Sequence, residues 1–337
     1  MKVSLIFFGC ILSFQVLAQS QDSLISDILD NGAKNYEEGR YDLALIEYHR
    51  VLDIDSKHAL ANYELATCYY AIDNDKKAIK HAAVAARDES EIGIEATILK
   101  GGIIDQQGKS KKAMRTFKKG LRSFGDYYLL WYHYGISVTN ANELQEASLA
   151  YQNAVTSKLD HSKSHFALAR LMLIQHREAQ AIYPLMFYLM LNPKGETSVA
   201  AYNSLNKVIT ESNPKTKYVK SPSKEIAYKF QLADFLLQAF IDARNLESYS
   251  TKSKIEVDSD IVSKIFNYLA CAPQGENDVF YERYYIPFFN QIAENAFIIP
   301  LMHFISQSSN DSSKEWVERN TKEIERLFEF LDEINIK

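Results

Sequence analysis

Cysteine is nearly missing from this chain. Its 337 residues include only Cys10, Cys68 and Cys271. None lies beside another Cys or a His at ligand or redox spacing, so thiol redox centres and clustered zinc sites are excluded. Glycine and proline are sparse too, at 12 and 7, and long stretches pass without a helix breaker. Basic charge is in deficit: 38 Lys and Arg stand against 43 Asp and Glu, a net charge of −5 that argues against nucleic acid as a general partner. The sequence has no Gly-rich phosphate loop, no HExxH and no GxSxG, and Gly101-Gly102 belongs to a helical pattern. No cofactor, metal or catalytic residue is implied, and the chain reads as a non-enzyme.

Nor is there an apolar run of the roughly 20 residues that a membrane-spanning helix needs. The first eighteen residues read instead as an export address. Lys2 supplies the positive start, Leu5 to Leu17 is an apolar run, and Val16-Leu17-Ala18 is a small-residue cleavage site before Gln19. Residues 1–18 are therefore expected to be a signal peptide cleaved after Ala18, leaving a periplasmic or secreted protein with no transmembrane segment. Peripheral association with the envelope is compatible with this. Phe7-Phe8-Gly9-Cys10 is a poor match to a lipidation signal. The leader resembles those of exported proteins of Gram-negative bacteria, the Bacteroidetes type in particular. After cleavage, Cys68 and Cys271 are expected to be two buried thiols.

What the chain does have is a period. Alanine recurs at Ala44, Ala78, Ala113, Ala147 and Ala181, and a small residue recurs in step at Gly32, Ala66, Gly101, Gly135 and Ala169. Both series advance by 34, 35, 34 and 34 residues, the period of a two-helix repeat. Two small residues twelve apart mark where the helices of a hairpin approach too closely for larger side chains. Units then begin at Ile25, Ala59, Ile94, Tyr128 and Ser162 and span 25–58, 59–92, 94–127, 128–161 and 162–195, with the single 35-residue step at the loop around Gly93. Leu65-Ala66, Lys100-Gly101, Tyr134-Gly135 and Leu168-Ala169 form one recurring pair. Tyr48, Ala82, Phe117, Tyr151 and Leu185 form a recurring second-helix position, and Trp131 and Pro193 each occur once in signature places. On these residues the stretch 19–195 resembles five tetratricopeptide repeats. That resemblance implies an all-α helical-hairpin solenoid.

The pattern stops after Pro193. Residues 196–245 read as an irregular sixth hairpin: a helix from Thr197 to Thr210, a loop from Asn213 to Pro222, then Ser223 capping a helix with Ile226, Phe230, Ala233, Leu237, Phe240 and Ile241 on one side. Residues 258–337 read as a C-terminal helical cap rich in aromatics. Ile261, Ile265, Phe266 and Leu269 form one stripe, ended by Pro273 and Gly275, and Tyr281, Tyr284, Tyr285, Phe288 and Phe289 follow. Pro287 and Pro300 should each start or kink a helix. A last segment opens at Ser312 or Ser313 and carries Trp316, Ile324 and Leu327.

In tetratricopeptide arrays the first helices line the concave face, with positions two, five, nine and twelve of each unit turned into it. The resemblance thus places Tyr36, Tyr63, Thr67, Tyr70, Tyr132, Phe166 and Arg170 as partner-binding residues, alongside Leu60, Ile98, Asp105 and Leu129. Tyrosines offer wide rigid contact with a hydrogen-bonding tip, suited to a peptide or helix of another protein. The family's clamp for acidic chaperone tails uses Lys and Asn where this chain has Tyr63 and Thr67. The expected function is a non-enzymatic protein-interaction scaffold of the bacterial cell envelope. The alternative is a glycan or small-ligand binder with its site between the array and the C-terminal helices. A third reading is an enzyme with a C-terminal site, for which Glu282, Glu294 and His303 are the available acid–base set. His161 and His165 share metal-ligand spacing, but one lies in a loop, the other takes a packing position and no third ligand is adjacent. The basic run from Lys109 to Arg122 reads as a solvated outer face.

Overall fold

The computed structural model describes residues 21–211, 226–245, 249–272 and 279–334. The leader with Cys10 and the Ala18–Gln19 junction, the loop from Asn213 to Pro222, the Ser223 cap and the Pro273–Gly275 break lie outside the described residues. All regular elements among the described residues are helical, and no helix is long and apolar enough to cross a membrane. The fold is an all-α solenoid of antiparallel helical hairpins. Two compact units divide it, Met1–Glu143 and Leu144–Lys337. The fourth sequence repeat gives its first helix to one unit and its second helix to the other.

The first unit contains α1 (21–37), α2 (Tyr41–Ile54), α3 (Ala59–Ala71), α4 (Asp75–Ala85), α5 (Glu91–Gln106), α6 (Ser110–Phe124) and α7 (Tyr128–Asn140). Helices pack most closely with their hairpin partners, α3 on α4 and α5 on α6, and the first helices also touch one another directly, α3 with α5 and α5 with α7. The small-residue series explains the closeness. Ala44, Ala78 and Ala113 are completely buried, as are Ala147 and Ala181 in the second unit. A Cβ added to Gly101 would stand 2.3 Å from the Phe117 ring, and one on Gly32 would stand 2.5 Å from the Tyr48 ring. The aromatic of the second helix thus fills the space that the small residue of the first leaves open.

A third periodic series joins these two. Gly39, Asp73, Gly108, Asn142 and His176 all have positive φ, from 55° to 73°, and are spaced like the alanines. Each closes the first helix of its unit with a left-handed residue. The following amide then donates back five residues, as Asn74 does to Tyr69 and Lys109 to Ile104. Gly93 differs from expectation. It lies inside α5, because Ser90 caps that helix by accepting from the Ile92 amide. The extra residue of the 35-residue step is taken up at 86–90, where Asp88 accepts hydrogen bonds from Ser90.

The second unit contains α8 (Leu144–Ser157), α9 (Ser162–Ile174), α10 (Glu178–Leu191), α11 (Glu196–Thr210), α12 (Ile226–Asp242), α13 (Lys254–Cys271), a π-helical turn (Tyr281–Tyr285), α14 (Ile286–Glu294), α15 (Ile298–Ser306), α16 (Asp311–Arg319) and α17 (Thr321–Glu333). Its centre is α10, buried at every residue from Ala179 to Leu189 and contacted by α9, α11, α12 and α15. Tyr183 on α10 packs against Phe266 of α13, Tyr281 and Tyr285 of the π turn and Phe289 of α14. Two largely buried ion pairs add to this packing: Arg244, in the 3-10 turn after α12, holds Asp258 at 2.7 Å, and Lys229 holds Glu282. Asp234 of α12 accepts from the Ala179 amide at 2.6 Å, so a side chain from another helix caps α10, whose own N-cap residue Arg177 supplies no cap. α12 makes its main contacts with α13 and α10 and lighter ones with α11.

Two local expectations are corrected here. Cys68 is buried, but Cys271 is exposed, because it is the last residue of α13, where the helix runs out to the surface. The last segment is capped not by Ser312 or Ser313 but by Asn310, whose side chain accepts from both of their amides, and it consists of the two helices α16 and α17.

Candidate functional site

On the first unit, the first-helix layer formed by α3, α5 and α7 carries the sequence-predicted residues. Tyr63, Thr67, Tyr132, Leu60, Ile98 and Leu129 are all partly exposed, and Tyr70 is exposed. Their environments differ. The Tyr36 ring meets Tyr41 edge-on at 5.2 Å and packs on the cluster of Tyr48, Leu65 and Cys68, so much of it serves the core. Thr67 donates its hydroxyl to the Glu64 carbonyl at 2.8 Å. Tyr70 donates to the Gln106 Oε1 at 2.8 Å, and Asp105 accepts from the Asn140 Nδ2 at 2.6 Å. These two bonds are equivalent. In each, position twelve of one unit reaches position thirteen of the next, so the pair also fixes the spacing of the first helices. Tyr132 meets His133 at 5.1 Å.

The sequence pattern singled out Asp105 but passed over two other carboxylates of this layer. Glu64 and Glu95 stand among the tyrosines, half-buried. Burial raises the pKa of Glu64, with the Thr67 hydroxyl opposing the rise. Burial also raises Glu95, with Glu91 adding to it. Tyr63 is raised by its own burial and then by the charges of Glu95 and Glu64, which places its hydroxyl in their shared field. Tyr127 feels Glu91 and Glu95 as well. The four first helices of this unit carry eight Asp and Glu against Lys34 and Lys100. The pKa of Lys100 is lowered by burial and then by Lys119, Lys112 and Arg87. The layer is thus aromatic and acidic. Glu95 is legible in the register, since it occupies position two of the third unit; Glu64, at position six, is not.

In the second unit, Phe166 stacks on Tyr188 at 4.8 Å and the Arg170 guanidinium lies 6.0 Å from the Phe166 ring centre, giving a stacked aromatic pair topped by an exposed cation. The histidine pair is accounted for structurally. Nε2 of His165 lies 2.7 Å from the Leu159 carbonyl, to which it must donate, which leaves Nδ1 to accept from the Tyr285 hydroxyl at 2.6 Å. His161 pairs with Ser164. No group of three or more potential metal ligands occurs among the described residues. Glu282, Glu294 and His303 are not brought together as an acid–base set: they engage Lys229, Asn290 and the Ser313–Trp316 pair respectively.

No family model matches this chain, and no curated protein does. Solved structures do. The chain is similar to PilF of Pseudomonas aeruginosa at 13% identity, covering 68% of this chain and 95% of that one with a TM-score of 0.49. It is similar to a thermophilic tetratricopeptide protein of Thermus thermophilus at 21% identity, covering 54% and 98% with a TM-score of 0.43. YrrB, described as a tetratricopeptide protein with an unusual peptide-binding site, aligns at 15% identity over 57% and 97% with a TM-score of 0.41.

Proposed function

We propose that this chain is a non-enzymatic protein-interaction scaffold that receives a peptide or helix of another protein on the first-helix layer of its first unit. The observation that carries this reading is the composition of that layer. Tyr63, Tyr70 and Tyr132 present partly exposed rings, Tyr63 lies in the field of Glu95 and Glu64, and no Lys or Arg occupies a groove position of the first unit. Exposed tyrosine supplies contact area at small entropic cost, and half-desolvated carboxylates select a cationic side chain over an anionic one. The partner segment therefore carries Lys or Arg beside apolar residues. The export address in residues 1–18 suggests that this takes place in the cell envelope, and N-terminal sequencing of exported protein should then begin at Gln19.

The test is selection of peptides from a displayed random library on the immobilised protein. Enrichment of basic-apolar sequences is expected. Replacing Tyr63, Tyr70 and Tyr132 together by Ala should weaken the selected peptides by about 1–4 kcal/mol for each true anchor. Enrichment of acidic sequences, or full binding by the triple variant, would overturn the reading.

A further inference from the structure

Two second helices of the first unit have the opposite charge, whereas α2 carries Asp42, Glu47 and Asp53 against Arg50. α4 and α6, second helices of successive repeats, carry nine Lys and Arg against Asp75 alone. α6 buries Ala113, Met114, Phe117 and Gly120 and exposes Lys111, Lys112, Arg115, Lys118, Lys119 and Arg122 on the other side. At 100° per residue those six cations fall within an arc of about 120°, so they form one face running the length of the helix. Lys111, Lys112, Arg115, Lys119 and Arg122 make no ion pair among the described residues. The face continues toward α4 through an open cleft of about 670 Å³, where Lys76, Lys109 and Lys112 meet Asp73 and Asp75. The lowered pKa of Lys100, to which Lys119, Lys112 and Arg87 contribute after burial, agrees with a positive field shared by α6 and the 86–90 turn beside α5. In a chain whose net charge is −5, such a segregation of cations is a specific surface.

We propose that this α4–α6 face docks the protein electrostatically on a membrane surface rich in anionic lipid. The chemistry of the face selects that occupant. No large apolar side chain on α4 or α6 is exposed, and the exposed Ile72 in the cleft stands among charges, so the face lacks the cluster of aromatic or aliphatic anchors around which a folded protein partner builds its hot spot. Seven of its nine cations are lysines, which are depleted in protein interfaces but suit headgroup phosphates as mobile point charges. Cations clustered beside an anionic bilayer attract it additively, without a fixed geometry for each contact. The surface is independent of the tyrosine layer and leaves that layer free for its peptide.

The experiment is co-sedimentation of the full chain with phosphatidylcholine vesicles, with and without added phosphatidylglycerol, at low and high salt. The expected result is binding that depends on phosphatidylglycerol and falls at least tenfold as salt is raised. The variant Lys111→Gln/Arg115→Gln/Lys119→Gln/Arg122→Gln should lose at least a further tenfold at low salt, and the single changes Lys111→Gln and Arg115→Gln about threefold each. A control set, Lys34→Gln/Lys158→Gln/Lys163→Gln/Lys207→Gln, removes the same charge elsewhere and should bind like the unaltered chain. Equal binding to both kinds of vesicle, equal losses in the two quadruple variants, or tighter binding to duplex DNA or polyglutamate than to anionic vesicles at the same salt would each overturn the proposal.

Discussion

α6 and α10 hold the same place in their repeats, and they have opposite characters. Each is a second helix that opens just past a left-handed residue, Gly108 or His176, and each sets its recurring alanine, Ala113 or Ala181, in the interior. Beyond that they diverge. α6 exposes a face of six cations, whereas the only charged residue of α10 is Glu178 at its start, and every residue from Ala179 to Leu189 is buried. The inner face of a second helix is dictated by its hairpin partner; the outer face reports what lies beyond. For α6 that is solvent or a charged partner. For α10 it is a layer of aromatics from α13, the π turn and α14, and this is where the regular array gives way to a single thick core.

The largest expected effect breaks that core. Tyr183→Ala should destabilise the second unit by about 3–5 kcal/mol, because the vacated space is ringed by Phe266, Tyr281, Tyr285 and Phe289. Arg115→Ala on α6 should stay within about 0.5 kcal/mol. Comparable denaturant midpoints for the two variants would erase the contrast.

Next comes pH. Burial raises the pKa of Asp234 to about 7 against its ordinary 3.8, with the Ala179 amide opposing the rise. A raised carboxyl pKa stabilises the protonated native state, so this contribution is full at the acid end and is lost as pH rises from about 4 through 7. His165 works in the other direction. Burial lowers it to about 4, so its contribution is full above the usual histidine range and is lost as pH falls from 6.5 toward 4. Asp234→Asn isolates the first term, because both histidine states are common to the pair. Relative to the unaltered chain, the variant should gain up to ~4 kcal/mol between pH 4 and pH 7.5 in urea titrations, and a difference that is flat with pH would refute the assignment.

Gly101→Ala tests the hairpin packing of the first unit. The added carbon meets the Phe117 ring, and a loss of about 1–3 kcal/mol is expected by thermal melting. The same change at Gly102, where nothing lies within 4 Å, should be neutral or slightly stabilising. A smaller change of opposite sign belongs to the turns: His176→Gly removes a side chain from a left-handed conformation at φ 55° and should stabilise by about 1 kcal/mol.

The regular part of the fold was legible in the sequence because close helix packing admits only small residues, and Gly32, Ala66, Gly101 and Ala169 announce it. The turn series was equally available. Gly, Asp, Gly, Asn and His at 39, 73, 108, 142 and 176 are mostly residues that tolerate positive φ, but Asp73 and His176 obscure the pattern. The burial of α10 from Ala179 to Leu189 went unread, although its apolar run around Pro184 is in the sequence. The partners of that helix are distant in sequence, and no local pattern names them. The tyrosines of the groove could be placed by register. Their division between core and surface could not, because it depends on neighbours such as Tyr41 and Gln106, nor could the acidity that Glu64 and Glu95 bring to Tyr63.

The most direct test of the division between an outward-facing first unit and an inward-facing second one is hydrogen–deuterium exchange with and without a selected basic peptide. New protection is expected in α3, α5 and α7, with α10 and the helices packed around it unchanged. Protection confined to α10 through α17, with α3 and α5 exchanging as before, would contradict it.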